Sequence, residues 1–180
     1  MIDGVGIGEV RPGYELWRPN REKAESVTTK FVVVFLLAAT AAIAAVVTIG
    51  GFSLLSGGGV MGLICLIYAG LYALFAFLVA RWSRGILPVA AALSMILAIF
   101  CMVGADSWFA RDKAGFDEAL LSSSLIGLLV IVLGLLQLVL IAAAFYAFNQ
   151  NWHVEEERPI GYGEDYGAGA SPDDGAPLPA

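Results

Sequence analysis

Leu125–Phe148 reads LIGLLVIVLGLLQLVLIAAAFYAF: twenty-four residues without a charge, with one strongly polar side chain, Gln137, at the middle. A buried helix of a water-soluble domain is neither so long nor so uniformly apolar. A helix that crosses a bilayer core needs about 20 such residues. Hydrocarbon offers no hydrogen-bond partners, so a crossing segment must satisfy its own backbone, and an α-helix does so. The stretch is read as a transmembrane helix.

Three earlier stretches share its character, and together they give spans at 31–55, 60–80, 86–105 and 125–148. The expected fold is an all-α integral membrane protein, a four-transmembrane-helix antiparallel bundle. Composition agrees: 59% of residues are hydrophobic and 14% charged, against roughly 45–50% and 25% in ordinary soluble domains. The chain divides into a leader at 1–30, a transmembrane domain at 31–148 and an acidic tail at 149–180.

The leader is expected to be coil where Gly4, Gly6, Gly8, Pro12 and Pro19 punctuate it. From Asn20, a plausible N-cap, a basic juxtamembrane helix should run straight into the first span. The glycine run follows no strand, so a phosphate-binding turn is not supported. The first span is not a cleavable signal, because a long polar leader precedes it and its apolar run exceeds the 7–15 residues of such a region. Ser56–Gly59 and Arg81–Gly85 are short turns that set neighbouring spans antiparallel. Between Gly104 and Ser124, Trp108, Phe109 and Phe116 alternate with charges, as an amphipathic segment lying at the interface would have them. From Pro159 onward Gly, Pro, Asp and Ala dominate, and a disordered cytoplasmic tail is expected.

Charge orients the spans. Four crossings put both termini on one side, and that side collects eight Lys/Arg against two on the other. The positive-inside rule then places both termini in the cytoplasm of a cell-membrane protein. Neither end is a basic block, so nucleic acid is not an expected partner.

Chemistry-bearing residues are few. No Asp, Glu, Lys, Arg or His falls inside the four spans, whereas proton relays and ion-coupled carriers ordinarily need such groups. One histidine and two cysteines fall short of the four ligands of a structural zinc or of most iron–sulfur clusters, so neither a metal nor a cofactor is expected. His153, beside Glu155–Glu157, reads as solvated. Ser/His/Asp catalysis is unsupported, because no nucleophile-elbow sequence accompanies any serine. Cys65 and Cys101 should lie at similar depth, as unrelated small side chains or as a disulfide.

The most informative feature is a thin polar layer. Counted from the span ends, Thr40, Tyr68, Tyr72, Ser94 and Gln137 all fall near the midplane. Gln137 should turn inward and bond across the bundle, to fix register, to line a small polar cavity or to make a self-association contact. Two functions follow as expectations. The first is a non-catalytic accessory, scaffold or assembly subunit, held in the lipid bilayer with other membrane proteins or with itself. The second is a small transporter or channel-forming homo-oligomer built on the polar layer.

Overall fold

The computed structural model describes residues 10, 13–55, 59–110 and 119–160. Two strands and five helices follow in the order β1 (Tyr14–Trp17), α1 (Pro19–Glu22), α2 (Ala24–Gly50), α3 (Gly59–Ala80), α4 (Ile86–Phe109), α5 (Ser123–Asn149) and β2 (Glu156–Pro159), with a 3₁₀ turn at Phe52–Leu54. The protein is predominantly helical, and α2 to α5 are each long and apolar enough to cross a membrane.

The expected spans differ from these helices at their ends. The juxtamembrane helix does not run straight into the first span. Lys23 is extended (φ −61°, ψ 127°) and separates the single turn α1 from α2. Asn20 does not cap: helix α1 begins at Pro19, and the Asn20 amide donates instead to the Asn151 carbonyl at 3.1 Å. Helix α2 stops at Gly50 rather than at residue 55, because the chain tightens into the 3₁₀ turn. Helix α4 continues four residues past the expected end and carries Asp106 in its last turn. Residues 111–118 of the expected interfacial segment, 56–58 of the first turn and 161–180 of the tail lie outside the described residues.

The chain forms two compact units. In the smaller, β1 pairs antiparallel with β2, Tyr14 opposite Pro159 and Trp17 opposite Glu156. Arg18 Nε donates to Glu155 Oε1 at 2.8 Å and Arg158 Nε to Glu15 Oε1 at 2.6 Å. The Arg158 guanidinium also lies 5.3 Å from the centre of the Trp17 ring. The leader, expected to be mostly coil, thus contributes one strand, and β2 ends at Pro159, where the expected disordered stretch begins; residues 1–9 and 11–12 of the leader lie outside the described residues. The ladder joins residues from opposite ends of the sequence, Tyr14 with Pro159, so no local pattern reveals it.

The larger unit, residues 20–153, contains the four long helices. Residues 20–30, 82–84 and 148–152 meet at one end, the proximal end. Residues 50–52, 62, 108–109 and 121–127 meet at the other. Successive long helices therefore alternate in direction.

The proximal half has a core drawn from all four helices: Val33 and Leu37 of α2, Phe75 and Val79 of α3, Leu87 and Ala91 of α4, Leu140 and Ala144 of α5. Among the described residues, the distal core draws on α2, α4 and α5 and not on α3: Ile43 and Val47, Cys101 and Trp108, Ile126 and Val130. Close approach there relies on glycine. A Cβ on Gly127 would lie 2.9 Å from the Phe109 ring, and one on Gly134 would lie 3.1 Å from Cys101 Cβ. Helix α4 thus fills the groove that these two glycines open on α5. Trp108 is buried, with its ring over Gly51, rather than set outward as an interfacial anchor.

At the proximal end α3 closes in a Schellman motif: Ser83 N donates to Leu78 O at 3.0 Å and Trp82 N to Val79 O at 2.8 Å. The residue at its left-handed position is normally glycine, but here it is Trp82, with φ +65°. Its ring is held edge-on against buried Trp152, with centroids 5.2 Å apart. Helix α5 also ends with a left-handed residue, Asn151 at φ +50°, a residue type that tolerates this region.

Candidate functional site

Thr40 on α2, Tyr72 on α3, Ser94 on α4 and Gln137 on α5 meet at the centre of the larger unit, and each has 0% exposure. Each of the four long helices supplies one of these side chains. Tyr72 Oη donates to Gln137 Oε1 at 3.2 Å. Gln137 Nε2 donates to Thr40 Oγ1 at 3.2 Å and to the Leu133 carbonyl at 3.1 Å.

The direction of the remaining bond follows from the donor count. The phenol has one proton and spends it on Gln137, so across the 3.3 Å contact between Tyr72 Oη and Ser94 Oγ the serine donates. The network runs Ser94 to Tyr72 to Gln137 to Thr40. The Leu133 carbonyl already receives the helical N–H of Gln137, so the amide takes its second lone pair.

Tyr68 stands beside the network. Its hydroxyl donates to the Leu93 carbonyl on α4 at 3.1 Å, and its ring is tilted 50° against that of Tyr72 with centroids 5.7 Å apart. The structure thus joins four of the five predicted side chains and gives the fifth a backbone partner. The residue that sequence reasoning missed is Leu133, which takes part only through its carbonyl; the signal was its position one helical turn before Gln137.

The chemistry open to this cluster is narrow. Amides and aliphatic alcohols do not ionise near neutral pH, and a phenol ordinarily does so only near pH 10. The network holds four helices in register and rotation, because a turn of any one would leave a buried polar atom without its partner.

The two cysteines are not joined. Both thiols are free, Cys65 half-buried and Cys101 buried. Cys101 faces Gly134 on α5, and in the distal half α3, which carries Cys65, does not enter the core that Cys101 helps to form. Equal depth was not enough, since the two side chains point to different neighbours. His153 is exposed. Among the described residues, no three His, Cys, Asp or Glu side chains come together as metal ligands would.

A second polar cluster lies at the proximal end. Arg84 Nε donates to the Phe148 carbonyl at 2.8 Å and Arg21 Nε to the Trp152 carbonyl at 3.1 Å, at and just beyond the C-terminus of α5. Cations suit that position, because the last carbonyls of a helix carry partial negative charge. Gln150 bridges Thr29 and the Trp152 indole, donating to the first at 2.9 Å and accepting from the second at 3.1 Å. Tyr146 donates to Glu25 across α5 and α2.

Compared with family models, curated proteins and solved structures, the chain matches none.

Proposed function

We propose that this protein is a non-catalytic component of a membrane, an accessory, scaffold or assembly subunit whose four antiparallel helices cross the bilayer with both termini in the cytoplasm. The observation that carries this reading is the closed network. Thr40, Tyr72, Ser94 and Gln137 are fully buried and spend their hydrogen bonds on one another and on the backbone. Such a layer serves helix assembly. Transport through the midplane would need Gln137 to face a water-filled path, and its burial favours the scaffold over the transporter.

The orientation rests on charge. Arg21, Lys23, Lys30, Arg81 and Arg84 all belong to the proximal end of the larger unit, and lysine and arginine concentrate on the cytoplasmic side. The outward apolar surface, including Phe31, Phe35, Phe77 and Phe100, is free for lipid or for the helices of a partner.

The test is cross-linking in native membranes, extraction in mild detergent and identification of what co-purifies. Recovery in a stable complex with larger membrane proteins is the expected result. Isolation only as a lone monomer would overturn the subunit reading. Solute flux into liposomes that falls when Gln137→Leu is introduced would replace it with transport.

A further inference from the structure

Trp82 stands in a backbone conformation that its own side chain disfavours. At φ +65° the Cβ crowds the following carbonyl oxygen, which is why the left-handed position of a Schellman motif usually goes to glycine. A bulky residue stays there only where its surroundings hold it.

Those surroundings come from other segments of the proximal end. The Trp82 ring meets Trp152 edge-on, at an interplanar angle of 88° and with centroids 5.2 Å apart. Lys30 Nζ of α2 lies 4.1 Å from the centre of the same Trp82 ring. Trp152 is fully buried and is itself tied down. Its indole N–H donates to Gln150 Oε1 at 3.1 Å, Gln150 Nε2 donates to Thr29 Oγ1 of α2 at 2.9 Å, and its carbonyl accepts from Arg21 Nε at 3.1 Å. A further tie joins the turn after α3 to the end of α5: Arg84 Nε donates to the Phe148 carbonyl at 2.8 Å.

We propose that the turn 81–85 is a sprung latch, with Trp82 as the spring and Trp152 as the catch. In the closed state Trp152 grips the Trp82 ring and holds the backbone left-handed against its preference. When the two rings part, Trp82 relaxes to negative φ. The bonds from Trp82 N to Val79 O and from Ser83 N to Leu78 O are then lost, and the end of α3 frays. The Arg84 bond does not pass through residue 82, so it keeps the turn attached to α5 and the opening stays local. Trp152 is thus a positioning residue for the α3–α4 turn.

Hydrogen exchange of the full-length protein in detergent micelles, read as protection of the amides of residues 81–85, tests the latch. Trp82→Ala and Trp82→Gly both remove the ring, but only glycine escapes the left-handed penalty. Protection should be about tenfold lower in the alanine variant than in the glycine variant. Trp152→Phe shrinks the catch and removes its bond to Gln150. It should lower protection several-fold in the chain that keeps Trp82, and leave it unchanged when combined with Trp82→Gly, because a glycine turn needs no grip. Equal protection in the alanine and glycine variants would mean that the backbone stores no strain, and would overturn the latch. So would a loss on Trp152→Phe that is the same in both backgrounds, which is the mark of ordinary packing. Trp82 is only half-buried, so the alanine–glycine comparison decides the matter even where the Trp152 variant fails to fold.

Discussion

At the scale of single residues, Gln137 carries the most consequence. Its amide reaches α3 through Tyr72 and α2 through Thr40, and Tyr72 extends the chain to α4 through Ser94. Replacing it with leucine puts an apolar side chain of similar size in its place and leaves the Tyr72 and Thr40 hydroxyls buried without their amide partner. Gln137→Leu is expected to destabilise the fold by about 1–2 kcal/mol, the upper range for interhelical hydrogen bonds in membranes. Reversible unfolding in mixed detergent measures this. The double variant with Tyr72→Phe should cost less than the two single changes added together, since both remove the same bond; strict additivity would mean that the two side chains do not interact. Much of this was legible in the sequence, because one amide in an otherwise apolar span must find a partner. The identity of the partners was not, because rotation of each helix about its axis decides which polar group faces inward. Tyr68 and Tyr72 are one turn apart on α3, and only Tyr72 enters the network.

At the scale of elements, glycine sets how closely the helices approach. Gly127 on α5 has the Phe109 ring 2.9 Å from where a Cβ would stand, whereas Gly70 on α3 has nothing within 4 Å. Gly127→Ala should therefore displace the Phe109 ring at a cost of about 1 kcal/mol, the low end for overpacking, because that ring is 44% exposed and can turn aside. Gly70→Ala should be neutral or stabilise by up to about 1 kcal/mol, through helix propensity alone. Thermal melts of the two variants in one detergent give the comparison; equal effects would remove the distinction. Gly127 and Gly134 stand one heptad apart, a spacing that opens a groove along one face of α5. That α4 fills it, with Phe109 and Cys101, depended on the tertiary arrangement. The same arrangement explains the free thiols, because Cys101 is committed to α5 rather than to α3.

At the scale of the whole molecule, the larger unit has unequal halves: among the described residues, α3 shares the proximal core and contributes none to the distal one. Cys65 lies in the distal half of α3 and is half-buried, whereas Cys101 is buried. Intact mass before and after reductant should be the same apart from adducts. A small membrane-permeant alkylating agent should modify Cys65 before Cys101; a mass gain of two hydrogen atoms on reduction would show a disulfide instead. The smaller unit adds a feature that no hydropathy pattern contains, the pairing of β1 with β2 from opposite ends of the sequence. A two-stranded ribbon by itself is marginal in water. Here two crossing arginine–glutamate pairs support the ladder.

What the sequence determined by itself is what local composition controls. Four uncharged runs of membrane length specify four helices, since only intrahelical bonds satisfy a backbone in hydrocarbon. The positions of the polar residues along those runs specify a common depth. The tertiary structure decided everything that depends on rotation and on contacts distant in sequence: which hydroxyls meet Gln137, which helix fills the glycine groove, where α3 leaves the core, and that the leader and the start of the tail form one sheet. These are relations between segments, and a period of 3.6 residues carries the face of a helix but not the neighbour it turns toward.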